Sequence, residues 1–345
     1  MYRTRFTSFV RSRTRTAWLT LTLAALAAFA VAGPTAAAEA PSGSAKVAHG
    51  VLRVNGTDAS DRIVLRLQAG QPGVLQVDFG DDGSADVSVQ RSDVHAIAVN
   101  AGDGSDRVRM DESNGVFTIG IPTTIGGGDG DDTLAGGAGA ETFRGGDGDD
   151  TDDGNGGADL GLMGDGDDTF VWDPGDGSDV IEGQEGADTM VFNGAAGAEQ
   201  FDLSANGNRL RFFRVQGNIT MDTAGVELVD VNALGGADLL TVNDLTGTDV
   251  TDVIVDLAAT LGGVTGDGAA DRVVVNATDG DDLITVSGDA TGVRVNGLAA
   301  TIGILHSEAA NDRLEINTLA GTDAVDSGGL AAGVTQLFVD GVLAT

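Results

Sequence analysis

Gly127-Gly128-Asp129-Gly130-Asp131-Asp132-Thr133-Leu134-Ala135 opens a run of nine-residue units, and that run decides how the chain folds. Further units start at Gly136 (GGAGAETFR), Gly145 (GGDGDDTDD), Gly154 (GNGGADLGL) and Met163 (MGDGDDTFV). Trp172 and Asp173 interrupt the series, which resumes at Pro174 (PGDGSDVIE) and closes with the unit from Gly183 (GQEGADTMV). A short fixed period means one motif stacked along an axis, each copy covering the apolar face of the last. Glycines at the first, second and fourth positions suit a tight turn, because they take positive φ without a Cβ clash. The last three positions, Thr-Leu-Ala or Thr-Phe-Val, suit a short strand whose middle residue points inward. Two units then make one coil, and turns 18 residues apart stack on the same side.

The turns are strongly acidic. Residues 127–191 hold 19 acidic side chains and one basic one, Arg144. If Asp and Gly served only as turn formers, that density of like charge would have nothing to offset it. Hard divalent cations take oxygen ligands, and Ca²⁺ accepts the irregular mixture of carboxylates and main-chain carbonyls that such turns offer. The sixth-position acid of one turn can share an ion with its equivalent one coil further on.

The nonamer resembles the glycine- and aspartate-rich repeat of RTX, or haemolysin-type, calcium-binding proteins. The match is confined to residues 127–191, about a fifth of the chain, and three units carry Gly-Asp-Gly-Asp-Asp-Thr in one register. The resemblance implies an all-β chain built on a parallel β-roll, a β-solenoid with calcium-binding turns, and several bound Ca²⁺ ions. Carried over position by position, the sixth-residue ligands are Asp132, Asp150, Asp168 and Asp188 on one side, and Glu141, Asp159 and Asp179 on the other. Gly128, Gly130, Gly146, Gly148, Gly164 and Gly166, with Asp129, Asp147 and Asp165 between them, would supply carbonyls and room for the ions. Glu141 departs from the pattern, as a longer acid in place of Asp. Asp152 stands where an inward apolar residue belongs. Gly161 takes that position in the fourth unit between Leu160 and Leu162, so a slip of register is expected there. The side holding Asp132, Asp150 and Asp168 is expected to carry two firm sites, with weaker ones elsewhere.

A longer repeat lies outside the block: Asn, five residues, an acid, any residue, then an apolar one. It occurs at Asn55…Asp61, Asn100…Asp106, Asn193…Glu199, Asn232…Asp238, Asn276…Asp282 and Asn317…Asp323. Short apolar strands such as Val273-Val274-Val275 run between these turns, so the flanks read as larger rungs of the same solenoid. Asp279-Gly280-Asp281-Asp282 repeats the calcium-type turn. Ion binding and plain turn formation both remain open for this longer repeat. Asp78 to Asp86 has carboxylates near calcium-loop spacing, but Val89 stands where an EF-hand needs its closing Glu, and the segment reads as a hairpin turn.

Composition bounds the function. Among 345 residues, 53 are acidic and 19 basic, and five of the basic ones are arginines within the first 15 positions. Such a surface repels polyanions, so neither a nucleic-acid partner nor stable membrane insertion is expected. No cysteine is present, which removes disulfides and thiol chemistry. The early arginines, the apolar run from Ala17 to Ala32 and the small residues Ala36–Ala40 follow the order of a secretory signal peptide. Residues 1–38 are assigned to it, 39–126 to an N-terminal β-rich region, 127–191 to the roll, and 192–345 to a C-terminal β-rich repeat region; the mature chain is expected outside the cell. His49, His95 and His306 each stand alone in sequence and read as strand-surface residues. Neither His-Glu-x-x-His nor Gly-x-Ser-x-Gly occurs, and no enzyme is expected. The reading is a secreted protein that binds several Ca²⁺ ions and folds or rigidifies on binding. Two alternatives remain. One is a calcium-dependent adhesion module for cell-surface or extracellular polysaccharide. The other is a hydrolase using carboxylates of the flanks.

Overall fold

The computed structural model describes residues 43–344, and the segment assigned to a signal peptide lies outside them. Within the nonamer block the strands Thr123–Asp129, Glu141–Asp147, Leu160–Asp165 and Val180–Glu185 pair in parallel in one sheet. Thr133–Ala135, Thr151–Asp153, Thr169–Trp172 and Thr189–Asn193 form the facing sheet, also parallel. Gly128 pairs with Gly146 and Gly146 with Gly164, so each coil takes two nonamers. The chain therefore forms a parallel β-roll.

Alternation sends one file of side chains inward from each sheet. From one sheet these are Ile125, Phe143, Gly161 and Ile181; from the other, Leu134, Asp152, Phe170 and Met190. The register does not slip at Gly161, which pairs with Phe143 on one side and Ile181 on the other. The missing side chain is compensated across the core. A Cβ there would lie 3.1 Å from the Phe170 ring and 3.2 Å from Met163 Sδ, so the larger neighbours already fill its place. The two extra residues lengthen one coil without breaking it. Trp172 extends its strand inward, pairs with Phe192 and stacks on that ring at 4.0 Å, while its indole N–H donates to the Gly177 carbonyl.

The flanks continue both sheets, giving 15 strands in one and 14 in the other. On the N-terminal side Ala96–Asp103 pairs with Thr123–Asp129, and Arg107–Asp111 with Thr133–Ala135. On the C-terminal side Leu228–Asn232 pairs with Thr189–Asn193, and Arg272–Asn276 with Arg313–Asn317. The longer repeat acquires a physical meaning here: its acid precedes one strand and its Asn closes the strand before, except Asn100, which lies within Ala96–Asp103. Asn55 pairs with Asn100, Asn193 with Asn232 and Asn276 with Asn317. The last two pairs also bond side chain to side chain, at 3.0 and 2.8 Å. Asp78 to Asp86 does lie in a hairpin connection, between the antiparallel strands Gln71–Phe79 and Val87–Gln90, with Asp78 paired to Arg66.

Two apolar clusters fill the space between the sheets. One runs from Leu52 to Phe143 and the other from Met163 to Leu337. Asp152, fully buried, stands at the gap between them. Four aromatic residues cluster just C-terminal to that gap: Phe192 touches Trp172, Phe201 and Phe212, and Phe201 touches Phe212.

Candidate metal centre

Folding a nonamer into turn plus strand puts its sixth residue just before the strand, at the edge of the roll. Asp61, Asp106, Asp132, Asp150, Asp168, Asp188 and Glu227 line up this way along one edge. Each main-chain N–H donates to a carboxylate oxygen on the next rung: Asp132 to Asp150 at 2.8 Å, Asp150 to Asp168 at 2.7 Å, Asp168 to Asp188 at 2.9 Å. The same bond joins Asp61 to Asp106, Asp106 to Asp132, and Asp188 to Glu227. The opposite edge carries Glu141, Asp159 and Asp179 in one ladder, then Glu199, Asp238, Asp271 and Asp312 in another. The two sides read from the nonamer spacing are the two edges of the roll.

Within the nonamer block one oxygen of each sixth-position acid is bonded and the other is stranded. Oδ2 of Asp106, Asp132, Asp150, Asp168 and Asp188 is buried without a hydrogen-bond partner among the described residues. So are Oδ2 of Asp159, Asp179 and Asp238 and Oε1 of Glu141 on the opposite edge. A buried carboxylate oxygen left unpaired costs several kcal/mol, and native structures hold few of them. The first-position glycines show what these oxygens face. A Cβ built on Gly127 would collide with Asp132 Oδ2 and lie 2.8 Å from the Gly145 carbonyl. At Gly145 it would meet Asp150 Oδ2 and the Met163 carbonyl, and at Gly183, Asp188 Oδ2 and the Gly225 carbonyl. In each of these turns the stranded carboxylate oxygen and a carbonyl of the next rung crowd the same face of the first-position glycine, two acceptors side by side. The fourth-position glycine is equally constrained. Gly148 has φ 134°, and a Cβ on it would lie 2.6 Å from the Gly130 carbonyl one coil earlier.

Electrostatics follow from this geometry. Burial, reinforced by the charges of Asp132 and Asp168, pushes Asp150 up to about 7 despite the amide that bonds it. Burial likewise pushes Asp132, Asp179 and Asp188 up to about 6, Glu141 to about 7 and Asp159 to about 8, and raises Asp106 and Asp168. Asp152 is raised well above its ordinary value by complete burial and by the charges of Asp150, Asp168 and Asp132, and both its oxygens lack partners among the described residues. The charged form of each is held at a cost that positive charge would relieve.

Third-position Asp129, Asp147 and Asp165 point outward and are exposed, while their carbonyls accept the Gly104, Gly130 and Gly148 amides. The fifth-position acids, to which sequence reasoning gave no role, form a second and exposed ladder. Asp149 N–H donates to Asp131, Asp167 N–H to Asp149, and Ala187 N–H to Asp167. Also missed were Asp106 and Glu227 as members of the Asp150 edge. The signal for Asp106 was present as Gly102-Asp103-Gly104-Ser105-Asp106, whose Gly102 pairs with Gly128 and Asp103 with Asp129. Among the described residues no three His, Asp or Glu side chains converge on one point. Carboxylates alone therefore make no chelate here. A cation between two turns would draw on one buried carboxylate oxygen and on main-chain carbonyls, a donor set that suits Ca²⁺ better than a softer ion. The histidines stand in turns rather than on strands; His306 Nδ1 lies 2.6 Å from Asp256 Oδ1.

No family model matches the chain, and no curated protein matches it. Among solved structures the chain is similar to the crystal structure of the extracellular lipase LipA from Serratia marcescens, at 12% identity and a TM-score of 0.22. The aligned part covers 63% of this chain and 43% of that one, so the chain spans less than half of the lipase's length. So slight a likeness bears neither on activity nor on the metal.

Proposed function

We propose that this chain is a secreted, RTX-type calcium-binding protein whose central roll takes up several Ca²⁺ ions and becomes rigid as it does so. The observation that carries this reading is the recurring pair of acceptors at Gly127, Gly145 and Gly183, where a stranded carboxylate oxygen and a carbonyl of the next rung close on one glycine. Asp132, Asp150, Asp168 and Asp188 would hold ions along one edge, and Glu141, Asp159 and Asp179 along the other. Bound Ca²⁺ would supply the positive charge and oxygen coordination that these acceptors lack. The protein's own part is to fix the geometry. The amide-to-carboxylate ladder orients each acid, and the glycines let successive turns approach closely enough to share a ligand sphere.

Binding is then folding free energy. Extracellular calcium modules bind at about 10⁻⁴ to 10⁻³ M. At ten times its Kd one site contributes about 1.4 kcal/mol, so several sites rival the roughly 5–15 kcal/mol of an ordinary domain. Far-UV circular dichroism in EGTA and then CaCl₂ tests the reading, together with titration calorimetry. A gain of β-signal accompanied by heat supports it; an unchanged spectrum with no heat overturns it.

A further inference from the structure

We infer that the Asp150 edge holds one more divalent-cation site than its nonamers provide, at the seam where the last nonamer turn meets Gly225–Glu227, with Glu227 as a ligand from outside the nine-residue repeats. This rests on the calcium reading above and extends it to a residue that belongs to no repeat. Asp188 N–H donates to Glu227 Oε2 at 2.8 Å, the bond that joins sixth-position acids within the block, although Glu227 lies 39 residues on. The neighbourhood is built like the others. Asp188 is 1% exposed, its Oδ2 has no partner among the described residues, and a Cβ on Gly183 would strike that oxygen and the Gly225 carbonyl together. Buried and unpartnered, Asp188 Oδ2 is thus aimed at the carbonyl of a rung outside the block.

The surroundings fix this geometry. Gly225, at φ 63°, has its amide held by Asp249 Oδ2 at 2.9 Å, which anchors the peptide whose carbonyl faces Asp188. Glu227 is half-buried and has no arginine, lysine or histidine paired to it among the described residues. Its carbonyl accepts the Thr251 and Asp252 amides, so the next rung presents Thr251 where an acid would have to stand. The column of sites therefore ends at Glu227.

The site has a consequence for the fold. Residues between Asp188 and Glu227 include Phe192, Phe201 and Phe212, which pack with Trp172, and the antiparallel strand Arg209–Arg214. A cation shared by Asp188 and Glu227 ties the two ends of that excursion together, and so couples calcium to the seating of residues 189–226 against the block.

The test is calorimetric titration of the full chain with CaCl₂, wild type against Glu227→Gln, with circular dichroism in calcium as a check of folding. Gln keeps the acceptor for the Asp188 amide and removes only the charge. The expected result is one ion fewer per chain, and tryptic cleavage at Arg209, Arg211 and Arg214 about tenfold faster in calcium. Glu227→Asp, which keeps the carboxylate, is expected to restore the count, and it serves as the comparison if the Gln variant fails to fold. Wild-type stoichiometry and cleavage rate in Glu227→Gln would overturn the seam site while leaving calcium binding by the block intact. A wild-type chain that takes up no calcium would instead overturn the reading on which the site rests.

Discussion

The nonamer block and the C-terminal rungs share two sheets and one stacking direction, yet they balance burial against charge in opposite ways. In the block the inward file of one sheet reads Leu134, Asp152, Phe170, and the facing file includes Gly161. Its edge acids are buried with an oxygen to spare. In the C-terminal rungs the files are valines, leucines and isoleucines behind an aromatic cluster, where each large side chain contributes roughly 1.5–3 kcal/mol on burial. The edge acids there are mostly satisfied within the protein. Glu199 pairs with Arg214 and accepts the Ala195 amide, and Asp312 accepts the Asp271 and Glu308 amides; on a strand between the edges, Glu315 pairs with Arg272 and Arg313. Asp282, in the sequence most like a calcium turn outside the block, accepts the Thr278 amide and hydroxyl on Oδ2, and its own amide donates to Asp323. One architecture is thus stabilised by apolar area where it has side chains to bury and, on the calcium reading proposed above, would draw on added positive charge where it has not.

The largest test of this contrast is removal of calcium. Hydrogen exchange in EGTA is expected to show protection lost across residues 127–191 and largely kept across 239–317, since the proposed sites lie in the former and the latter is held by apolar burial. Uniform loss or uniform retention would break the comparison. Next in size is Asp150→Asn against Asp282→Asn. Asp150 lies between two coils, so its loss is expected to lower stability in calcium by about 3 kcal/mol, two sites at about 1.4 kcal/mol each. Asp282→Asn is expected to leave calcium-dependent stability unchanged, because Thr278 already holds its Oδ2 and neither oxygen is stranded in the interior. Denaturant titration in calcium and in EGTA separates the two. Smaller again, Asp152→Leu should raise stability in EGTA by about 2 kcal/mol. It replaces a buried, unpartnered carboxyl with an apolar side chain between Leu134 and Phe170, joining the two core clusters. A loss of stability would mean that Asp152 has a partner which the apolar neighbours conceal.

The roll was legible from the glycine spacing and the inward strand position, because a nine-residue period fixes both the turn and the face that follows it. The two edges were legible for the same reason. Beyond the block, legibility fell with regularity. Asn55, Asn100, Asn193 and their equivalents revealed rungs without revealing which acid meets which, since pairing partners lie 26 to 45 residues apart in the flanks. Glu227 was invisible because nothing in Ala224-Gly225-Val226-Glu227 announces a turn; only the stacking on Asp188 gives it a role. The expected slip at Gly161 failed because Phe170, a residue of the opposite sheet, supplies the missing volume, and such compensation across a core leaves no local trace.

Asp238 is the C-terminal acid that behaves like those of the block, and it sharpens the comparison at the smallest scale. Its Oδ1 accepts the Glu199 amide while Oδ2 is buried without a partner among the described residues. Burial, with Asp271, Glu199 and Asp267 nearby, pushes it up to about 7 from 3.8. Between those values the folded chain keeps a proton that the unfolded chain has released. Stability from this group is therefore full in acid and is lost as pH rises towards 7. Asp238→Asn should accordingly be close to neutral at pH 4 and stabilising by about 1 kcal/mol or more at pH 8 in EGTA, a tenfold change in proton affinity being worth about 1.36 kcal/mol. Paired melting curves at the two pH values decide it. A gain at pH 8 would show that the rule separating the two regions is the pairing of each carboxylate, and not its distance from the nonamers. No gain would mean that the surrounding rung, with its thicker apolar core, already accommodates the charge.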